Sequence, residues 1–505
     1  MRILTGMLML ISTFCFGQKK QIQNIASTVS IERLKKNLYY LASEQLEGRV
    51  MGSHGDTLAS EYVANCFKKN HLAAPYKNGT SYFQTIPAYK KNLLQSELII
   101  GNKKFQNWNG WTFAMRNTET TQLDNLPVVF VGHGIENSLY NDFTNIDVKG
   151  KAVLLLTGQP QDSTGNYLLS GSKQPAIISS YQNLLKEKGA VLILLYNNRF
   201  TADSLLQRKS SFQSVYKTQL LPNNSLPLIM VSEDRANELL SPSHKTIKSL
   251  AQDITKTLRP QSFNVNNNVG VHIQIDITEE TAPNVIGLIK GTDSAAGCII
   301  LSAHHDHVGR DGKDIYFGAV DNASGTVAIM EIAALLNKAV KKGIRPKRSI
   351  VFASYTGEEK GLLGAYHFAA NPLFPIEKTW AVLNIDMMGR VDTFYSGRRA
   401  DSNYAYILVK DTLNRGLRNA LFTANESLGK LNLDTYYEQP QFMQRRLLGS
   451  DQYPFYLKGV PFIRIDCGFS KDYHQPTDTP DKINYELLSN QIKLAFLTTW
   501  NIANN

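Results

Sequence analysis

The chain has 505 residues, too many for one ordinary hydrophobic core, so two or three domains are expected. Hydrophobic residues make up 43% of it and charged residues 19%, a balance that excludes disorder over most of the chain. The formal net charge is +11, but Lys and Arg are scattered, so the charge predicts a solvated basic surface and no nucleic-acid partner.

The first 17 residues have the pattern of a secretory signal peptide. Arg2 precedes a mostly apolar run over 3–16, and small Gly17 offers a cleavage site. This run is too short for a membrane span, and we expect no later integral span. A lipid anchor through Cys15 is disfavoured because bulky Phe14 precedes it. The sequence therefore predicts an exported protein, periplasmic or extracellular. Removal of the leader leaves an odd number of cysteines, whose pairing stays open: Cys66, Cys298 and Cys467.

Residues 18–119 are predicted to be the N-terminal part of the main domain. Apolar residues recur at helix spacing between about 30 and 70. A glycine-rich loop with the sequence GRVMGSHGD, Gly48–Asp56, separates two helices within this stretch.

Residues 120–255 are predicted to form a separate small α/β domain. Short β-rich runs are separated there by turns and by one helix-like stretch at 181–187. The asparagine-rich stretch 263–270 is expected to be a polar linker that returns the chain to the main domain. The β-rich runs are 127–131, 152–156, 191–196 and 226–231.

Residues 256–505 are predicted to hold most of the main domain. The almost continuously apolar run 298–303 is typical of a strand buried on both faces, and the amphipathic stretch 322–342 is typical of a helix. The alternation that follows predicts an α/β fold with an open, mostly parallel sheet and helices on both faces. The further strands are 348–355, 380–385 and 460–465, and the further helices are 361–370 and 482–502.

Residue types that bind metals follow one predicted strand after another. Each has an ordinary structural explanation alone, as a polar loop residue or a helix cap. Ligands of open α/β sheets bind outside the carboxyl ends of the strands, however, so the whole set is expected to meet at one edge. The set comprises His304, His305, Asp306 and His307 at the first strand end, followed by Asp321, Glu358, Glu359, Asp386, Tyr473 and His474.

The chemistry of this set favours a pair of zinc ions. Imidazole and carboxylate ligands without thiolate suit zinc, with manganese or cobalt as alternatives. Two His together with several carboxylates fit a two-metal site better than a single structural zinc.

Around these residues the sequence resembles the co-catalytic zinc exopeptidases of peptidase family M-28. The resemblance covers about 282–505 and the segment around LEGRVMGSHGD. The middle segment, with FVGHGI and DVKGKAVLLLTG, resembles a protease-associated domain inserted into this peptidase type. The motifs, in the family's order, are SAHHDHVG, GAVDNASG, YTGEEKGLLGA, LNIDMMGR, GSDQYPF and DYHQPTDTPDKI.

The resemblance implies a role for eight of these residues. Glu358 would be the general base toward a metal-bridging water, and Tyr473 would donate to the tetrahedral oxyanion. Asp306 would orient His304. The two Zn²⁺ ions would be bound by His304 and Asp386 on one side, by Glu359 and His474 on the other, and by Asp321 between them.

The resemblance implies a secreted aminopeptidase that acts on peptide substrates, and other functions stay open. A carboxypeptidase or dipeptidase would need a cation for the substrate carboxylate, and the candidates are Arg390, Arg445 and Arg446. Glutaminyl cyclisation would use one zinc. A peptide-binding protein that uses the inserted domain is disfavoured by the complete ligand set.

Two positions depart from the family pattern. Gln452 follows Ser450 and Asp451 where the family often has His, which would alter the substrate pocket and not the metals. Val320 stands where an acidic residue commonly precedes the bridging Asp321, and we expect this change to be tolerated.

Overall fold

The computed structural model describes residues 17–505 apart from 115–117, 139, 161–163, 168–177, 199–213, 218–224, 394–401 and 429–430. Most of the predicted signal peptide therefore lies outside the described residues. The chain divides into two units, the first formed by the residues up to Ala88 with Glu280–Asn505, the second by Tyr89–Glu279. The second unit thus begins before and ends after the segment 120–255 expected from the sequence.

The first unit has a sheet with four neighbouring parallel strands and antiparallel pairings towards both edges. This architecture confirms the predicted fold class. In order across the sheet, the strands are Asn432–Asp434, Tyr404–Lys410, Phe462–Asp466, Thr379–Ile385, Cys298–His304, Ser349–Tyr355 and the last part of Phe263–Ile289.

Helices cover both faces of this sheet because alternate side chains of each strand point to opposite sides. Ile299 and Leu301 of the central strand belong to one apolar core, and Ile300 belongs to another. The helices of the first core are Ile31–Leu41, His54–Lys69, Gly325–Lys341, Leu417–Ser427 and Tyr485–Asn504. Those of the second are Leu363–Ala370, Pro440–Leu448 and Tyr453–Tyr456.

The helix Gly325–Lys341 is deeply buried. With the preceding turn, the segment Ala319–Lys341 is long and apolar enough to cross a membrane, but nearly all of its apolar window lies inside the first unit. Gly343 ends the segment with a φ of 77°, a left-handed conformation that glycine adopts without strain. Its composition is therefore that of a core helix.

The second unit has a further set of paired strands and two apolar cores. Four parallel strands, Thr121–Phe130, Ala152–Leu156, Leu192–Tyr196 and Leu228–Val231, are flanked by Trp111–Phe113 and by the first part of Phe263–Ile289 in antiparallel pairing. Its helices include Ile178–Glu187, Glu233–Leu240 and Ile247–Thr257. Three further strands are Phe83–Ile100, which begins in the first unit, Lys103–Gln106 and Ser214–Lys217.

The prediction of a polar linker at 263–270 was wrong, because this stretch is part of the strand Phe263–Ile289. Val265 and Val269 are buried in the core of the second unit, and pairing with Thr121–Phe130 outweighs the low strand preference of asparagine. The interpretation of this unit as a protease-associated domain stays a prediction.

The three cysteines outside the predicted leader are free thiols. Burial raises the pKa of the Cys66 and Cys298 thiols to about 11. These cysteines thus act as small apolar residues.

Candidate metal centre

The carboxyl ends of the central parallel strands bring the predicted ligands of the first unit together. His304 is the last residue of its strand, and Asp386 directly follows Thr379–Ile385. Two groups of donors result, and within each group one ligand atom per residue lies within 4.8 Å of all the others. The first group is His304, Asp321 and Asp386, and the second is His307, Asp321, Glu359 and His474.

The first group is centred on His304 Nε2. This atom lies 3.4 Å from Asp321 Oδ1 and 3.6 Å from Asp386 Oδ1. The other carboxylate oxygen of Asp386 is bound by two side chains of the protein. Ser450 Oγ donates to it at 2.5 Å, and an Arg464 amino group lies 3.0 Å away. One oxygen of Asp386 is therefore fixed by the protein, and the other faces the ligand cluster.

The second group uses the other oxygen of Asp321. His474 Nε2 lies 2.9 Å from Asp321 Oδ2 and 3.2 Å from Glu359 Oε1. His307 Nδ1 lies 2.9 Å from the same Glu359 oxygen. The two oxygens of Asp321 thus point into different groups, which is the arrangement that a carboxylate shared by two cations requires.

Asp321 is presented by an irregular turn at the start of the long buried helix. Its backbone is extended, with φ −109° and ψ 98°, and the peptide bond to Asn322 is cis. The Asp478 carboxylate accepts from the backbone N–H of Val320 at 3.0 Å and of Asp321 at 3.3 Å. Val320 thus contributes its backbone N–H here, and Asp478, whose pKa burial raises to about 6, fixes the turn.

Glu358 is buried beside the first group. Its Oε2 lies 3.9 Å from His304 Nε2, and its backbone N–H donates to Asp306 Oδ1 at 3.1 Å. Burial holds its pKa well above the ordinary value, and the neighbouring Glu359 and Asp386 charges act in the same direction. This carboxyl group is therefore poised to take up a proton.

Asp306 contacts His304 mainly through its backbone. His304 Nδ1 lies 3.2 Å from the Asp306 carbonyl oxygen and 3.6 Å from its Oδ1. Asp306 therefore contacts both His304 and Glu358, because its carboxylate also accepts a hydrogen bond from the Glu358 backbone N–H.

Tyr473 and His474 lie together on the loop that follows the strand Phe462–Asp466. Their rings stack with centroids 3.9 Å apart. Asp472 anchors this loop, accepting from Arg390 at 2.7 Å and from Lys482 at 2.8 Å. Arg390 therefore serves the loop through this ion pair.

The buried Arg49 connects the loops that carry the first ligands. Its guanidinium donates to the carbonyl oxygens of His305 at 2.8 Å, Phe317 at 2.8 Å and Gly318 at 3.0 Å. The sequence predicted the glycine-rich loop that contains Arg49, but it predicted no role for the Arg49 side chain.

A cavity of about 130 Å³ opens beside the first group. Its lining combines ligand candidates, arginines and apolar side chains: His304, Asp321, Glu358, Asp386, Met387, Arg445, Arg446, Gly449, Arg464, Phe469 and Tyr473. Gln452 is fully buried, where it accepts from Asn384 and donates to the Leu447 carbonyl oxygen.

The sequence analysis gave no role to several residues that contact the ligands. His307 was named within the HHDH segment at its strand end, but the resemblance implied no role for it. Asp478 lies within the quoted motif DYHQPTDTPDKI, whereas the ion pair of Arg464 with Asp386 had no signal in the sequence.

The sequence of the first unit matches a known family of peptidases. Residues 284–498 match the model of peptidase family M28. Over 128 residues the chain is 36% identical to "Aminopeptidase NAALADL1" of Mus musculus, a match that spans 25% of this chain and 16% of that protein. Over 202 residues it is 29% identical to "Probable glutamate carboxypeptidase VP8" of Zea mays, spanning 39% of this chain and 26% of that protein. The matches thus cover about a quarter or less of these relatives' lengths.

Two solved structures share the fold over nearly the whole chain. An aminopeptidase from Aneurinibacillus sp. strain AM-1 has a TM-score of 0.61 at 18% identity and covers 96% of each chain. BSAP, a zinc aminopeptidase from Bacillus subtilis, has a TM-score of 0.55 at 18% identity and covers 94% of this chain and 96% of its own.

Proposed function

The chain carries a domain of peptidase family M28, and from this premise we propose that it is a two-zinc exopeptidase that removes N-terminal residues from peptides. The observation that carries the proposal is the pair of donor groups that share Asp321. Both groups consist of imidazole and carboxylate donors, and neither contains a thiolate, which suits zinc.

The donors fit two ions because each group offers at least three ligand atoms and Asp321 supplies one oxygen to each. Zinc bound there would polarise the scissile carbonyl and acidify a water molecule. His304 and Asp386 would hold one ion, and Glu359 and His474 the other. His307, for which the resemblance implied no role, would support Glu359 or add a donor to the second ion.

Glu358 performs the proton transfer in this proposal. Its carboxylate takes a proton from the attacking water as the water oxygen bonds to the carbonyl carbon. When the C–N bond breaks, the same carboxyl group gives the proton to the leaving amine. Asp306 keeps Glu358 in place through the backbone N–H, and the Tyr473 phenol donates to the oxyanion from the cavity wall.

The choice of an aminopeptidase is supported by the names of the mouse relative and of both solved structures, each of which is called an aminopeptidase. The maize relative is named a probable glutamate carboxypeptidase, so a carboxypeptidase or dipeptidase acting at the same site is the second candidate. A peptide-binding protein without catalysis is disfavoured by the presence of Glu358 beside a full donor set.

A panel of peptides with free and blocked ends tests this function. We expect hydrolysis of peptides with a free N-terminus, loss of activity when a chelator removes the metal, and recovery when zinc is added back. Cleavage of N-acetylated peptides at the C-terminal bond would replace the aminopeptidase with the carboxypeptidase. Full activity in the chelated protein would refute the metal mechanism.

We propose further that the protein is exported by its N-terminal leader. Expression of the full chain, followed by mass measurement of the exported protein, is expected to show loss of residues 1–17. A matched chain without this segment is expected to stay inside the cell, and its export would contradict the proposal.

A further inference from the structure

Three arginines line the cavity beside the first donor group, and they differ in what they already bind. Arg446 and Arg464 have carboxylate partners inside the protein, whereas Arg445 has none among the residues that the structure describes. A guanidinium that faces a substrate cavity without an internal partner is available to an external anion.

Arg464 is already paired with two carboxylates of the protein. Its amino group lies 3.0 Å from Asp386 Oδ2, and its Nε lies 3.2 Å from Asp466 Oδ2. It is buried between these two carboxylates, so its charge is compensated. Arg464 therefore positions Asp386 through this ion pair.

Arg446 is also paired with a carboxylate of the protein. It forms an ion pair with the buried Asp466, and its guanidinium stacks on the Tyr437 ring at 4.1 Å and on the Phe469 ring at 4.7 Å. Its side chain is almost fully buried by these contacts. A substrate carboxylate would have to displace Asp466 in order to bind it.

Arg445 is exposed, in the last turn of the helix Pro440–Leu448. The end of this helix is held in place by Gln452, whose side-chain amide donates to the Leu447 carbonyl oxygen at 3.1 Å. Gln452 in turn accepts from Asn384 on the central sheet at 2.9 Å. The residue that departs from the family pattern thus anchors the helix that presents Arg445 to the cavity.

Resting on the proposed peptidase function, we propose that Arg445 binds a carboxylate of the peptide substrate and so selects substrates that carry one close to the scissile bond. The carboxylates that line the cavity already have roles in the proposed site. Asp321 and Asp386 belong to the donor groups, and Glu358 transfers the proton. The remaining lining is largely apolar, with Met387 among it, so Arg445 is the cavity's uncompensated cation in the described part of the chain.

Two sources supply this carboxylate chemistry. One is the free C-terminus of a dipeptide, and the other is an acidic side chain next to the scissile bond. Arginine binds either through two parallel hydrogen bonds, whereas the corresponding amide offers a single neutral acceptor. The preference therefore appears as a ratio between a carboxylate substrate and its amide counterpart.

Three substrate pairs separate these sources: leucyl-leucine against leucyl-leucinamide, leucyl-glutamate amide against leucyl-glutamine amide, and glutamyl-leucinamide against glutaminyl-leucinamide. We expect the zinc-loaded protein to prefer the carboxylate member of at least one pair by about tenfold in kcat/KM. Arg445→Gln should abolish that preference and leave the amide member within about twofold. Lys458→Gln, which removes an exposed cation elsewhere, is the control and should keep the preference.

The same pairs are titrated calorimetrically into the zinc-loaded Glu358→Gln protein, with and without Arg445→Gln. Carboxylate-selective binding that Arg445→Gln removes supports the inference even if the wild-type protein hydrolyses no peptide, in which case only the proposed function fails. Equal handling of both members of all three pairs, or a preference that survives in Arg445→Gln, overturns the inference while leaving any observed peptidase activity intact.

Discussion

Glu358 and Glu359 are adjacent in the chain, and the structure predicts opposite consequences when each is replaced by glutamine. Glu358 Oε2 lies 3.9 Å from His304 Nε2, and the hydrogen bond to Asp306 is donated by the Glu358 backbone N–H and not by its side chain. Glutamine has the same size and keeps that backbone bond, so Glu358→Gln should retain the fold and the zinc. The amide cannot accept the proton of the attacking water.

The size of the effect follows from this loss. A positioned general base contributes roughly 10²- to 10⁴-fold, or about 3 to 5 kcal/mol of barrier, so kcat should fall by that factor. The metal-free variant should be at least as stable as the wild type, because burial and the Glu359 charge disfavour ionised Glu358 and hold its pKa well above the ordinary value.

Glu359→Gln is the matched control. Its Oε1 lies 2.9 Å from His307 Nδ1 and 3.2 Å from His474 Nε2, so neutralising it should weaken zinc binding first and activity as a consequence. Zinc content by atomic absorption and steady-state kinetics on leucine p-nitroanilide are measured for both variants. Loss of zinc in Glu358→Gln, or turnover within about tenfold of the wild type, would refute the assignment of Glu358 as the base.

The remaining predictions concern the bridging carboxylate, its support and the second unit. Asp321→Ala should lower the zinc content below two ions per chain, and retention of both would exclude a shared ligand. Asp478→Asn should weaken zinc binding by about 10- to 100-fold in chelator competition, whereas the exposed Asp481→Asn should not. His133 is a buried residue of the second unit, and burial lowers the pKa of its imidazole to about 4. The neutral imidazole therefore contributes fully to stability above pH 6.5, and this contribution disappears as the pH falls towards 4. In urea titrations, the stability advantage of the wild type over His133→Gln should therefore shrink by about 3 kcal/mol over that range, and a constant difference would contradict the shift.

The central sheet was accessible from the sequence because its signals are local. The run 298–303 is apolar except for Ser302, and the strand is Cys298–His304. The strand at 152–156 was predicted with its observed bounds. By contrast, the stretch 263–270 is rich in asparagine, and only its pairing partner makes it a strand. The strands Phe83–Ile100 and Tyr404–Lys410 were not predicted at all.

The candidate site divides in a similar way. The ligand candidates could be named from the sequence, because each strand end carries its polar residues within a short motif and parallel strands place those ends at one edge. The amino-acid types also indicated zinc. Asp478 and Arg49 were missed as site residues, and His307 was named without a role, since their contacts join segments that are distant in the chain.

The sequence by itself determined which residues are able to bind a metal and which strands carry them, because composition and periodicity are properties of neighbouring residues. Only the tertiary structure decided which cations are left available. Arg390, Arg445 and Arg446 are equivalent candidates as letters in a sequence, and two of them are engaged by Asp472 and Asp466. Ion pairing depends on distances between side chains that folding alone sets, and this is why Arg445 could be distinguished only in the folded chain.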